Sequence, residues 1–280
     1  MKDFQDRVVA VTGAASGIGR ALAVGCAARG AHLAVSDIDE EGLAETVDRV
    51  AAHGVPVDSW VVDVADRGAV EDWADDVVER FGRVNVIVNN AGVSVTCSIE
   101  ELSYEDFEWL MSINFWGVVH GTKAFLPHLR ASGEGHVVNI SSIFGVIAQP
   151  SQAAYNAAKF AVRGFTESLR AELELTDAPV SAISVHPGGV KTNIVRSSRV
   201  GETGPICRSR DDLIAEFDAE LARIGPDEAA RQILEAVRRD KRRVMVGNDA
   251  KALDVLQRLM PSGYIGGLVR LMRRRYLSAD

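Results

Sequence analysis

Apolar and polar positions along this chain fall into two alternating rhythms. Short, nearly continuous apolar runs occur at Arg7–Thr12, His32–Ser36, Val57–Val62, Val84–Asn89, His136–Ser141, Val180–His186 and Arg243–Val246. Runs of this kind suit parallel strands with both faces covered. Between them apolar residues return about every 3.6 positions, most clearly in Glu40–His53, Arg67–Phe81 and Gln152–Leu175, which predicts helices. A further helix, Pro226–Arg239, opens with proline at a first-turn position, where the missing N–H has no intrahelical partner to lose. Strands alternating with helices predict βαβ units around one parallel sheet, an α/β fold with helices on both faces. The longest stretch without a predicted element is Val190–Arg210. It follows a strand, so it is placed to cover a site at the strand ends.

Composition narrows the picture. The 280 residues are 47% hydrophobic and 25% charged, a globular balance long enough for one large α/β domain. A net charge of −8 does not indicate a nucleic-acid partner. Cys26, Cys97 and Cys207 are scattered and form no C-x-x-C pair, which fits a reducing compartment and argues against a metal site. Lys2, Asp3, Gln5, Asp6 and Arg7 leave no apolar leader, and no run approaches the about 18 apolar residues of a membrane span, so a cytoplasmic protein is expected. Charge is unevenly spread: residues 241–280 hold nine Lys/Arg against three Asp, leaving −14 on the first 240 residues.

Candidate chemistry begins after the first strand, where Thr12-Gly13-Ala14-Ala15-Ser16-Gly17-Ile18-Gly19 opens a helix. Glycines here allow a tight turn and close approach of a pyrophosphate to the backbone, with the helix N-terminus supplying amide donors. The context of strand, glycines and helix is what raises this above an ordinary turn. Asp37 ends the second strand, where a carboxylate can accept the hydroxyls of an adenosine ribose and repel a 2′-phosphate. It could instead cap the next helix, although Asp39 fits that role better. Arg20 follows Gly19 inside the helix and is expected to point away. Asp63, at the end of the third strand, suits either an adenine edge or a strand-end cap.

Tyr155 and Lys159 lie four apart in a predicted helix and so share one face. A tyrosine, with an ordinary pKa of about 10, becomes an effective base when an ammonium and a cationic nicotinamide favour tyrosinate. A lowering of about three units corresponds to about 4 kcal/mol. Ser142, just past the fifth strand, can hold and polarise a substrate oxygen, or simply form a turn. Asn114 sits in an otherwise apolar helical stretch, where its amide needs a partner and could hold a water near Lys159.

Taken together, Thr12–Gly19, Asp63, Asn89-Asn90-Ala91-Gly92, Asn114, Ser142, Tyr155-x-x-x-Lys159 and Pro187-Gly188-x-Val190-x-Thr192 resemble the short-chain dehydrogenase/reductase family. The motifs run in family order from about Arg7 to Val246. The resemblance implies one doubly wound Rossmann-like domain over residues 1–248, with a seven-stranded parallel sheet in the order 3-2-1-4-5-6-7. Residues 249–280 would form a basic, partly amphipathic extension. It implies Tyr155 as acid/base, Lys159 lowering its pKa and binding the nicotinamide ribose, Ser142 positioning the substrate carbonyl, and Asn114 holding a relay water. NAD would lie along Gly13, Ser16, Gly17, Ile18, Gly19, Asp37, Asp63, Val64, Asn90, Ala91, Gly92, Tyr155, Lys159, Pro187, Gly188, Val190 and Thr192. Thr192 would bond the carboxamide. A homodimer or homotetramer is implied, often through the helices that hold Asn114 and Tyr155.

Substrate contacts are expected from Ser94, Thr96, Cys97, Phe144 and Gln149, with Val93, Val95 and Ile194 nearby. Most are apolar or uncharged, which points to a lipophilic or neutral secondary alcohol or ketone. Phe144 stands where family members often carry a small residue, and Cys97 is equally a small apolar filler. A 3-oxoacyl-type reductase is the alternative enzyme, but it would usually bring basic residues near the glycine turn. A non-catalytic NAD-binding regulator would be expected to have lost one of Asn114, Ser142, Tyr155 or Lys159. The tail, Tyr264–Tyr276, mixes apolar residues with arginines; packing on the chain's own body or a neighbouring subunit is preferred over an anionic membrane surface.

Overall fold

The computed structural model describes residues 3–201 and 209–276; Cys207 lies outside them. Strands β1 (Val8–Thr12), β2 (His32–Asp37), β3 (Val57–Val61), β4 (Val86–Asn89), β6 (Gly135–Ile140), β7 (Val180–Pro187) and β9 (Arg243–Val246) form a single parallel sheet. Its order is β3-β2-β1-β4-β6-β7-β9, the expected 3-2-1-4-5-6-7 once two short strands outside it are set aside. Those two, β5 (Val95–Thr96) and β8 (Arg199–Val200), pair in parallel beyond the end of the main sheet. The second falls within Val190–Arg210, the stretch for which no element is predicted.

The helices are α1 (Gly17–Ala27), α2 (Glu40–Ala51), α3 (Arg67–Phe81), α4 (Tyr104–Met111), α5 (Gly117–Ala131), α6 (Ala153–Leu175), α7 (Arg210–Glu216), α8 (Pro226–Arg238), α9 (Asn248–Leu259) and α10 (Gly263–Tyr276). On one face of the sheet, Leu22 of α1, Leu43 of α2 and Ile233 of α8 pack on Leu33 and Val35. On the other, Trp73 of α3, Phe125 of α5 and Leu173 of α6 pack on Ile87 and Val137. Trp73 meets Phe125 edge-on at 4.9 Å between ring centroids, a favoured aromatic geometry. This two-sided burial is why the central strands β1, β2, β4, β6 and β7 read as continuous apolar runs. The sheet order reverses between β1 and β4, and their carboxyl ends open into the crevice where doubly wound sheets bind ligands.

Candidate active site

That crevice is a cavity of about 660 Å³. Its floor at one end is the turn from β1 to α1. Gly13 and Gly17 have φ of +65° and +54°, values that strain other residues. A Cβ on Gly13 would lie 2.7 Å from the Ala91 Cα, so the neighbouring chain approaches as closely as glycine permits. Asn90 braces the turn, donating from Nδ2 to the Thr12 and Gly13 carbonyls at 3.0 Å each. At the N-terminus of α1, Ser16 makes no side-chain cap bond and no acid sits in the first turn. Donors and helix dipole are thus left open toward the cavity, the condition that suits a pyrophosphate.

Asp37 lines the same cavity. Its carboxylate accepts the backbone N–H of Ala15 at 2.9 Å, Ile38 at 2.8 Å and Asp39 at 3.2 Å. A carboxylate has about four acceptor directions, so about one remains for a ligand hydroxyl, fewer than the pair the sequence suggests. Asp39, as expected, caps α2 by accepting from the Gly42 N–H at 3.0 Å. Arg20 is committed elsewhere: it pairs with Glu45, donates to the carbonyls of Ala15 and Gly42 and to the Thr46 hydroxyl, and does not line the cavity. Asp63 and Val64 line the cavity, with Asp63 also accepting the Ala65 N–H at 2.9 Å.

At the other end the structure gathers Ser142, Tyr155 and Lys159 from residues spread over eighteen positions. Lys159 is 3% exposed, and its Nζ donates to the Ile140 carbonyl at 3.0 Å and lies 5.6 Å from the Tyr155 ring centroid. Burial pulls Lys159 down to about 8. Burial pushes Tyr155 up to about 12, opposed by a hydrogen bond with the Ser142 side chain. Desolvation dominates over this bond, while the lowering expected from the sequence counts on a cationic nicotinamide as well as the ammonium. Phe144 stands edge-on to Tyr155 at 6.3 Å and narrows the cavity beside it.

The Ser142 backbone is held from behind. Its carbonyl accepts from Nδ1 of His186 at 2.9 Å, and the other ring nitrogen, Nε2, then accepts from the Ser184 hydroxyl at 2.9 Å. Burial lowers His186 to about 4, so the ring is neutral, as this pair of bonds requires. The sequence gives no local sign of His186, which reads as one polar residue in an apolar strand.

Three expected contacts are placed differently. Gly19 does not line the cavity; a Cβ there would sit 2.1 Å from the Gly13 carbonyl oxygen, so its part is to let α1 approach the turn. Cys97 does not line the cavity; with Val95 it is buried in an apolar cluster that includes Leu110, Ala154 and Tyr155, while Ser94 and Thr96 line the cavity. Asn114 is fully buried in a π-helical turn, Ser112–Trp116, and does not line the cavity. Its amide accepts from and donates to the Val93 backbone at 2.8 Å each, fixing the wall rather than facing the ligand space. Gly92, Ala91, Val93, Pro187, Gly188, Val190, Thr192, Gln149 and Ile194 all line it.

Comparison with known proteins identifies the family. A family model described as short chain dehydrogenase matches residues 7–203. The chain belongs to the short chain dehydrogenase family. A Mycobacterium tuberculosis protein named as an oxidoreductase, SadH, is 48% identical over 264 residues, covering 94% of both chains. A short-chain dehydrogenase/reductase from Burkholderia phymatum, solved in complex with NAD, superposes with a TM-score of 0.85 at 31% identity, over 93% of this chain and 95% of that one. An alcohol dehydrogenase from Thermococcus sibiricus, complexed with 5-hydroxy-NADP, gives a TM-score of 0.69 at 29% identity, over 86% and 96%. Such similarity makes this short chain dehydrogenase an oxidoreductase.

Part of the dehydrogenase's cavity lies beyond the matched residues. Leu213 of α7, the adjoining Phe217, Leu253 of α9, and Val269 and Met272 of α10 complete its wall, with Glu216, Asp249 and Arg273 as charged members. Asp249 anchors this section by accepting the Gly189 N–H at 2.7 Å. These residues escaped the sequence reading because their apolar spacing resembles that of any packed helix. Among the described residues no cluster of His, Cys, Asp and Glu could hold a metal, and no helix is long and apolar enough to cross a membrane.

Proposed function

We propose that this short chain dehydrogenase transfers a hydride between NAD and a lipophilic or neutral secondary alcohol or ketone, in the cytoplasm. The observation that carries the reading is the Tyr155 hydroxyl, hydrogen-bonded with Ser142 and backed by Lys159, inside a cavity that also holds an open helix N-terminus. The α1 amides and Ser16 would hold the pyrophosphate, Asp37 the adenosine ribose, and Asp63 and Val64 the adenine. Asn90, Ala91, Gly92, Lys159, Pro187, Gly188, Val190 and Thr192 would hold the nicotinamide half. The bound nicotinamide supplies or accepts the hydride.

In the reducing direction the protonated Tyr155 donates its hydroxyl proton to the carbonyl oxygen, and the Ser142 hydroxyl donates a hydrogen bond to the same atom. A tyrosine raised to about 12 is fully protonated at neutral pH, which suits the donor role. In the oxidising direction Tyr155 must give up that proton first, and Lys159, an ammonium below about pH 8, is the cation beside its ring. Asn114 supports the site through Val93. NAD is favoured over NADP because Asp37 carries a negative charge at the ribose end and Arg20 is tied away from it. Neighbours with either cofactor are found, so this preference rests on Asp37.

A lipophilic substrate is supported by Phe144, Ile194, Leu213, Phe217 and Leu253 around the outer cavity. Exposed Trp116 and Phe160, on the elements that carry Asn114 and Tyr155, support a homo-oligomer formed through them. The test is a screen of NAD with secondary alcohols of increasing apolar chain, alongside sugar phosphates, following absorbance of the reduced nicotinamide. Turnover should rise with apolar size. Turnover confined to phosphorylated polar substrates would overturn the substrate class, and none with any alcohol or ketone would overturn the reaction.

A further inference from the structure

Apolar surface is unevenly spread over this molecule. Seven of the fifteen large apolar side chains exposed among the described residues fall within α9, α10 and the turn joining them. On α9, Val255, Leu256 and Leu259 lie at helical spacing, and Leu259 is 77% exposed. On α10, Ile265 and Leu271 are exposed, the latter at 61%. What α10 turns inward is slight: Tyr264, Leu268 and Met272, one residue per turn, are partly buried. The Tyr264 hydroxyl, accepting from the Ala148 N–H at 3.0 Å, ties the helix to the segment after Ser142. Packing on the chain's own body, which with packing on a neighbouring subunit is the reading preferred from sequence, therefore accounts for only one narrow stripe of α10.

The same segment is where the positive charge collects. Residues 248–276 contain Lys251, Arg258, Arg270 and Arg273–Arg275 against Asp249 and Asp254. Lys251 and Arg270 are exposed. The rest of the protein is strongly acidic. Gly266 and Gly267 of α10 have open space where a Cβ would be, so no close contact demands glycine there. Glycine weakens a helix in water, which leaves α10 dependent on what covers its outer face.

We propose that α9 and α10 form a docking surface for an anionic lipid bilayer, lying in its interface with the mouth of the active-site cavity against the lipid. Exposed apolar side chains interleaved with cations are the composition of an interfacial helix. Val269 and Met272 of α10 line the cavity, so the docking helix is also its wall. The acidic remainder is repelled by an anionic surface, which orients the molecule on this face. A symmetric pair of chains meeting through the same face would set each α10 cation cluster against its own copy, an unfavourable arrangement. The docking surface stands apart from the substrate assignment, since binding is read without substrate.

The test is co-sedimentation of the full chain with vesicles of phosphatidylcholine alone, or with a third phosphatidylglycerol, at low and high salt. Wild type should partition onto the anionic vesicles, lose most binding at high salt and bind phosphatidylcholine weakly. Leu259→Asp with Leu271→Asp should cut partitioning by about tenfold or more. Arg270→Glu should cut it at low salt only. None of these residues lines the cavity, so NAD binding by each variant reports that it is folded. Absence of wild-type binding to anionic vesicles, or undiminished binding by folded variants, would overturn the proposal. Self-association lost in Leu259→Asp, with no vesicle binding, would assign the face to a second copy instead.

Discussion

Replacing Asp37 by asparagine removes one charge from the cavity while preserving size and one acceptor oxygen. In the wild type the carboxylate has about one acceptor direction left for a ribose hydroxyl, the others being held by Ala15, Ile38 and Asp39. One charge-assisted hydrogen bond contributes about 1.5–3 kcal/mol. With NADP, the same carboxylate faces a phosphate dianion. Like charges about 4 Å apart near a protein surface repel by up to about 4 kcal/mol, reduced by salt where the site opens to water. Arg20 cannot relieve this, being held by Glu45, Thr46 and the Ala15 and Gly42 carbonyls. The wild type should therefore prefer NAD by at least about tenfold in kcat/KM, or about 1.4 kcal/mol. Asp37→Asn should shrink that ratio, weakening NAD and improving NADP. Because Asp37 also braces the glycine turn, thermal unfolding of the variant should be followed beside steady-state kinetics with both cofactors. A loss of stability with an unchanged cofactor ratio would make Asp37 a brace alone. Equal efficiency for the two cofactors in the wild type would refute the electrostatic reasoning outright.

Two further outcomes follow from burial. Lys159→Met should lower turnover by at least about a hundredfold and raise the NAD dissociation constant. The substitution also removes an ammonium that burial holds near 8, so thermal stability at neutral pH should hold or rise; a marked fall would make Lys159 chiefly structural. His136 and His186 are both lowered by burial from 6.5 to about 4. The unfolded chain takes up these protons as pH falls through 6.5 and the native chain only near 4. Stability is therefore lost across that window, by up to about 3 kcal/mol per histidine. Urea unfolding between pH 7 and 4 should show this slope, and His136→Gln should flatten it; an equal slope in the variant would contradict the assignment.

Much of this arrangement was legible in the sequence because its signals are local. Two-sided burial made the five central strands visible as apolar runs, and the Gly13–Gly19 turn carries its geometry in consecutive residues. Other features depend on distant partners. Val95–Thr96 pairs with Arg199–Val200 across a hundred residues, and no local pattern shows that Ser94 and Thr96 line the cavity while Cys97 does not. The bond between His186 and Ser142 joins two strand ends with no local pattern. The upward push of burial on Tyr155 is hidden for the same reason. A four-residue spacing shows that an ammonium is near, but not that both groups are buried, and burial dominates.

The central claim, that Tyr155 moves the proton coupled to hydride transfer, is tested most directly by Tyr155→Phe. The ring still packs against Phe144 and only the hydroxyl is lost. Single-turnover formation of reduced nicotinamide should be measured with the best alcohol from the screen, with NAD affinity determined in parallel. The rate should fall by about 10²–10⁴-fold, with an NAD dissociation constant close to that of the wild type. A near-normal rate in a variant that binds NAD normally would remove Tyr155 from the reaction and contradict the account.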